Sequence, residues 1–193
     1  MAKKDLTGKR VAILVDEGFE QVELIKPRKA LDKVGAKTEI VSPQEGQVRG
    51  WNLKRWGKFA TVDVPLDAAD PSSYDALLLP GGVMNPDKLR MNPKAVEFVK
   101  HFFSAGKPVA SICHGPWMIV EAGAASGRTL TSWPSLQTDI RNAGGVWVDQ
   151  EVVTDQGLVT SRKPDDIKAF NKKMIEEFAE GQHQVGLGER QIA

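Results

Sequence analysis

What the chain has little of narrows it before any motif is read. One cysteine among 193 residues excludes an intramolecular disulfide and a zinc site of the paired-cysteine kind, and it suits a reducing compartment. The three histidines, His101, His114 and His183, are scattered and show no metal-ligand spacing. No apolar run approaches the ~18 residues of a membrane-spanning helix. The opening Met1–Gly8 lacks the apolar core of a signal peptide. Neither sign of charge dominates: 26 basic residues face 25 acidic ones, so the chain as a whole carries no field for nucleic acid or anionic membrane. The Gly-x-Gly-x-x-Gly spacing is missing after the first strand, which argues against a dinucleotide. No metal or organic cofactor is indicated, and a cytoplasmic location is expected.

What is present is an alternation of short apolar runs with amphipathic stretches. Arg10–Val15, Thr38–Ser42, Ala76–Leu79 and Pro108–Ile112 read as strands buried on both faces. Leu24–Val34 reads as a helix with Pro27 in its first turn, since deeper in the helix proline removes a backbone donor. That start makes 16–23 a strand-to-helix connection. Pro93–Ala105, Trp117–Ala122, Ser135–Ala143 and Asp165–Glu180 also read as helices, whereas 47–66 is irregular. The pattern predicts one α/β domain, a doubly wound and mostly parallel sheet with helices on both faces. Residues 1–8 form a lead, 9–180 the domain and 181–193 a loose tail.

Cys113 is the outstanding chemical candidate. A lone cysteine is commonly just a small buried hydrophobe, but this one stands where a strand hands over to a helix, at the carboxyl end of the sheet. The unpaired N–H groups of a helix start favour thiolate there. Gly115 leaves room for close approach, and Pro116 suits an early helical position. Together they resemble a nucleophile elbow with sulfur in place of oxygen. Pro80-Gly81-Gly82 closes a strand and offers either a tight turn or amides for an oxyanion. Asp16, Glu17, Glu20 and Glu23 crowd the first connection, where helix-start electrostatics alone explains acids. Trp51, Lys54, Arg55, Trp56 and Lys58 read as a solvated hairpin or an oligomer contact.

Leu78-Leu-Pro-Gly-Gly82, Lys107-Pro-Val-Ala-Ser-Ile-Cys-His-Gly-Pro116 and Val159-Thr-Ser-Arg162 resemble the PfpI-type intracellular protease family, within the parkinsonism-associated deglycase superfamily. The resemblance runs over about residues 9–180 and implies a flavodoxin-like, amidotransferase-like fold. It further implies Cys113 as nucleophile, Glu20 as the buried acid against the thiol, and Gly82 with the amide of His114 as the oxyanion hole. His114 would pair with an acid from a neighbouring subunit, at the position matched here by Asp87 in place of the family's usual glutamate. A homodimer or larger homo-oligomer follows. Trp133 stands where some members carry a histidine. Family activities span protease, chaperone, glyoxalase and deglycase, the last on proteins or nucleic acids. A cysteine hydrolase acting on a small carbonyl or peptide substrate in stress protection is the expectation. It comes with a Cys113 thiolate at neutral pH, held by a protonated Glu20.

Three rivals stand beside it. An amidotransferase glutaminase needs a late His-x-Glu, and Ser161–Asp166 contains no histidine. A non-enzymatic stress protein or chaperone would use Cys113 as an oxidation sensor, though no second cysteine exists to resolve a sulfenic acid. A binding module with a vestigial site would bury Cys113 inert.

Overall fold

The computed structural model describes residues 4–183. Eleven strands and six α-helices are found among them: β1 (Arg10–Leu14), α1 (Gln21–Lys33), β2 (Lys37–Ser42), β3 (Gln47–Asn52), β4 (Arg55–Thr61), β5 (Val64–Pro65), β6 (Ala76–Leu79), α2 (Met84–Arg90), α3 (Pro93–Ser104), β7 (Val109–Ile112), α4 (Trp117–Glu121), β8 (Thr129–Leu130), α5 (Gln137–Asn142), β9 (Val146–Trp147), β10 (Val152–Asp155), β11 (Leu158–Ser161) and α6 (Ile167–Glu180). The main sheet has the order β10-β11-β7-β6-β1-β2-β5. All its pairs are parallel except β10 with β11, which form an antiparallel hairpin. None of the helices is long and apolar enough to cross a membrane.

The lack of polar alternation in the central strands has a direct cause: both faces are covered. Val11, Ile13 and Val15 point to one side of the sheet, where Leu24 and Leu31 of α1 and Phe170, Met174 and Phe178 of α6 join them. Ala12 and Leu14 point to the other, against Val96, Val99 and Phe102 of α3 and Met118 and Ile119 of α4. From β1 the chain proceeds to β2 on one side and later returns to β6 and β7 on the other. The strand order therefore reverses between β1 and β6, and the crevice at the carboxyl ends there is where open α/β sheets place ligands.

Several sequence expectations are corrected. Helix α1 begins at Gln21, so Pro27 lies inside it instead of in its first turn. Pro27 is buried on the same face as Glu23, Leu24 and Leu31, and packing there outweighs the ~3 kcal/mol that an interior proline costs. The stretch 47–66 is not irregular: β3 and β4 form an antiparallel hairpin with a register shift between Arg49 and Trp51. This is the solvated hairpin that Trp51–Lys58 offered as one reading; its full extent shows no apolar alternation because β4 is largely exposed. Helix α2 was missed because it is short, with Pro86 inside it. In the described part of the lead, Leu6 is fully buried and its amide donates to Val34 O at 2.8 Å. Beyond α6, His183 is docked through its amide to Gly106 O at 2.8 Å. The rest of the expected tail, 184–193, lies outside the described residues.

Leu6→Ala should therefore lower the unfolding free energy by about 2–4 kcal/mol in urea denaturation, as for other buried leucines. A change below ~0.5 kcal/mol, typical of an exposed position, would show that the lead does not belong to the core.

Candidate active site

Three successive strand ends build the site. After β1 comes α1, whose first turn carries Glu23. After β6 comes Pro80-Gly81-Gly82, and after β7 comes Cys113. Cys113 has φ +63°, a left-handed conformation that a non-glycine residue adopts only where its surroundings enforce it. The enforcement is visible on both sides of the residue. Its amide donates to Ser161 O at 3.0 Å, and its carbonyl accepts from the Trp133 amide at 2.9 Å. Just beyond, a Cβ on Gly115 would meet Leu79 O at 2.5 Å and Ser111 Oγ at 2.6 Å. Only glycine lets the chain turn there so close to the neighbouring strand.

Glu23, not Glu20, is the acid against the thiol. Glu23 is fully buried, and its Oε2 accepts from the Gly81 amide at 2.9 Å. A Cβ on Gly81 would stand 2.6 Å from Glu23 Oε2 and 2.7 Å from Cys113 Cβ, so acid, loop and nucleophile converge on one point. The other carboxyl oxygen, otherwise without a partner, is left for the sulfur. Glu20 is buried too, but it precedes α1, where it bridges to Trp51 in the β3–β4 hairpin. The reason for the exchange is helix register. Starting at Gln21 puts residue 23 on the inward stripe with Leu24, Pro27 and Leu31.

The electrostatics also differ from the expectation. Burial, and next the charge of Glu23, push the Cys113 thiol well up, while the amides of Gly82 and His114 pull it down. Burial pushes Glu23 to about 8, with Glu20 adding to the rise and the Gly81 amide opposing it. At neutral pH, then, Glu23 holds a proton, and the like-charge contribution to the thiol is relieved. With Oε2 accepting from Gly81, the hydroxyl falls on the oxygen left for the sulfur. The thiolate expected at neutral pH beside a protonated Glu20 is thus replaced by a buried thiol beside a protonated Glu23, and the two titrate as a coupled pair.

His114 is brought directly to Cys113, Nδ1 lying 3.2 Å from the sulfur. Its Nε2 lies 3.3 Å from Ser135 Oγ, a partner that sequence reasoning missed. The ring stacks on Trp133 and tilts against Trp117. Burial pushes His114 down to about 4, so it is neutral at pH 7. One ring nitrogen then donates and the other accepts, which links the sulfur's proton to the orientation of the Ser135 hydroxyl. Asp87 is exposed on α2, and among the described residues no hydrogen bond or ion pair joins it to His114 within the chain. Gly82 has φ +82°, and a Cβ there would meet Gly18 O at 2.6 Å.

A strand-to-helix elbow, a buried carboxyl on the sulfur and two converging amides describe a cysteine site, and the family model for DJ-1/PfpI matches residues 9–177. The chain belongs to the DJ-1/PfpI family. It is 42% identical over 166 residues to a deglycase of Thermococcus kodakarensis, covering 86% of this chain and 97% of that one. Against general stress protein 18 of Bacillus subtilis the identity is 41% over 170 residues, with 87% and 96% covered. A DJ-1 superfamily protein of Salmonella typhimurium, solved as a cysteine-to-alanine mutant, superposes with a TM-score of 0.79 at 25% identity, over 86% of this chain and 88% of that one. The flavodoxin-like fold of the family is the one described above.

Two measurements follow from the Glu23 proton. Glu23→Gln keeps a donor but removes the charge, so the midpoint of iodoacetamide alkylation of Cys113 against pH should fall, by about one unit or more. An unchanged midpoint would separate the two groups. Stability should respond as well. Folded Glu23 near 8 against ~4.5 unfolded means that the native state binds the extra proton, so wild-type stability should fall between pH 5 and 8 relative to Glu23→Gln. A difference that stays flat over that window, followed by denaturant unfolding, would overturn the assignment.

Proposed function

We propose that this DJ-1/PfpI protein is a Cys113-dependent hydrolase of the deglycase and glyoxalase type, acting on small carbonyl compounds or their adducts in stress protection. The observation that carries this reading is the geometry at the sulfur of Cys113: Nδ1 of His114 at 3.2 Å, the buried Glu23 fixed by the Gly81 amide at 2.9 Å, and the converging amides of Gly82 and His114. Relatives named deglycase and general stress protein support it. So does the single cysteine, which a reducing cytoplasm keeps as thiol.

The chemistry runs from the chain's own groups. Nδ1 of neutral His114, 3.2 Å away, is placed to take the thiol proton as sulfur adds to an electrophilic carbonyl carbon. The sulfur–carbon bond forms and the carbonyl electron pair moves to oxygen. As charge leaves the sulfur, the Gly82 and His114 amides are available to the developing oxyanion. Glu23, carrying a proton at neutral pH, can complete the hydroxyl of the adduct and later take that proton back. Glu23 at about 8 lies near the range in which proton transfer at physiological pH is most effective, whereas burial holds His114 at about 4, a weak base unless a neighbouring charge raises it. Trp117 and Trp133 wall the imidazole. Peptide cleavage would use the same adduct with an amine as leaving group, protonated by His114, after which water adds to the thioester and releases the acid, returning the proton to sulfur.

Activity measured on methylglyoxal, a methylglyoxal-modified amino acid and a coumarin peptide should show turnover on at least one substrate. Cys113→Ala should lose at least ~1000-fold, the scale for removing a nucleophile. Oxidation of one sulfur per chain with no turnover on any substrate would instead support the sensor reading.

Asp87 enters this proposal through a homo-oligomer. A neighbouring subunit's Asp87 beside His114 would raise the imidazole from its low value and orient it. Mixing Cys113→Ala with Asp87→Ala subunits should then restore part of the activity in hybrid sites. Exchange demonstrated by mass, with activity no greater than in either variant alone, would remove Asp87 from the reaction.

A further inference from the structure

Far from Cys113, the carboxyl end of α6 gathers Glu177, Glu180 and His183. One potential ligand atom from each lies within 4.8 Å of the others. The spacing i, i+3, i+6 runs past the helix end at Gly181, where φ is +81° and the chain turns back. That turn is what the sequence alone hides: on a continuing helix the same three residues would read as a solvated face.

His183 is held there by three elements. Its amide donates to Gly106 O, in the turn between α3 and β7. Its ring rests on Gly157, in the turn between β10 and β11, so closely that a Cβ on Gly157 would come 2.6 Å from the ring. Its Nε2 is sealed from solvent and makes no hydrogen bond, although Glu177 Oε2 approaches to 3.3 Å. Glu177 itself is 8% exposed. Glu180 stands one helical turn farther on, so two carboxylates crowd one half-buried corner. The shielded Nε2 thus faces two carboxylates, an arrangement that a cation held among the three groups would satisfy as well as a proton on the imidazole does.

We propose that Glu177, Glu180 and His183 bind a divalent cation of the zinc type. Zn²⁺ accepts carboxylate oxygen and imidazole nitrogen at about 2.0–2.2 Å, and small movements of the exposed Glu180 close the remaining span. The negative end of the α6 dipole adds to the attraction. An imidazole among the ligands selects zinc over magnesium, which prefers oxygen alone. Bound there, the ion would staple the chain beyond α6 to the turns carrying Gly106 and Gly157, a structural role separate from the cysteine chemistry.

The test uses the full chain carrying Cys113→Ala, so that the thiol cannot take up metal, after chelator treatment. Zinc chloride titrated by calorimetry should bind one to one, and zinc should raise the thermal midpoint reversibly with EDTA. His183→Ala and Glu180→Gln should each weaken binding at least about tenfold. Glu180 is exposed, so that variant keeps its fold whatever the outcome. Magnesium should give no comparable heat or shift. Absence of saturable zinc uptake, or uptake equal in both variants, would overturn the site.

Discussion

The amide of Gly81 fixes one oxygen of Glu23, and Glu23 in turn governs how much negative charge the sulfur of Cys113 can carry. This contact needs three parts of the fold in register. The β1–β6 pairing sets Ile13 opposite Leu78, the β6–β7 pairing sets Leu79 opposite Ser111, and α1 must turn its first-turn acid inward. A slip of one residue in any of them would reverse the facing of the side chains and pull acid and sulfur apart. The absence of room for a Cβ at Gly81 measures how tightly these parts converge. Site chemistry and sheet register are therefore one constraint.

The same crowding explains why a left-handed cysteine is tolerated. Strain at φ +63° persists only where neighbours over-determine it, and here both peptide groups of Cys113 are engaged by separate segments, Ser161 and Trp133. Those segments arrive from β11, the strand beside β7, and from the turn before α5. The elbow is thus buttressed from regions that carry no nucleophile of their own. Ser135, two residues beyond Trp133, reaches the far nitrogen of His114, so one loop both braces the backbone and sets the imidazole.

Much of this was legible in the sequence, and the misses have physical causes. Buried parallel strands lack polar alternation, so Arg10–Val15, Ala76–Leu79 and Pro108–Ile112 stood out as apolar runs. The junction at Cys113 was equally plain, because a strand ending in Cys-His-Gly-Pro leaves few other backbone paths. Glu20 and Glu23 could not be told apart by residue type. Only the true helix start decides which of two carboxylates three residues apart faces inward, and Pro27 argued for the wrong start. Ser135 carried no signal at all, since a hydroxyl becomes a partner only when folding brings an imidazole to it. The exposed β4 strand and short α2 lacked periodicity because little of either is buried.

The site's residues are drawn from positions 23, 81, 82, 113, 114 and 135, with the buttress at 161, and no two of the first three strand-end segments are adjacent in sequence. Apart from the adjacent His114, the groups that perturb the sulfur are brought to it by tertiary structure. During synthesis, or in any fragment ending before β11, Cys113 lacks the carbonyl of Ser161 and the enclosure that raises Glu23. Reactivity of this cysteine is in that sense a report on completed folding, and an intact site certifies that nearly the whole domain has been built.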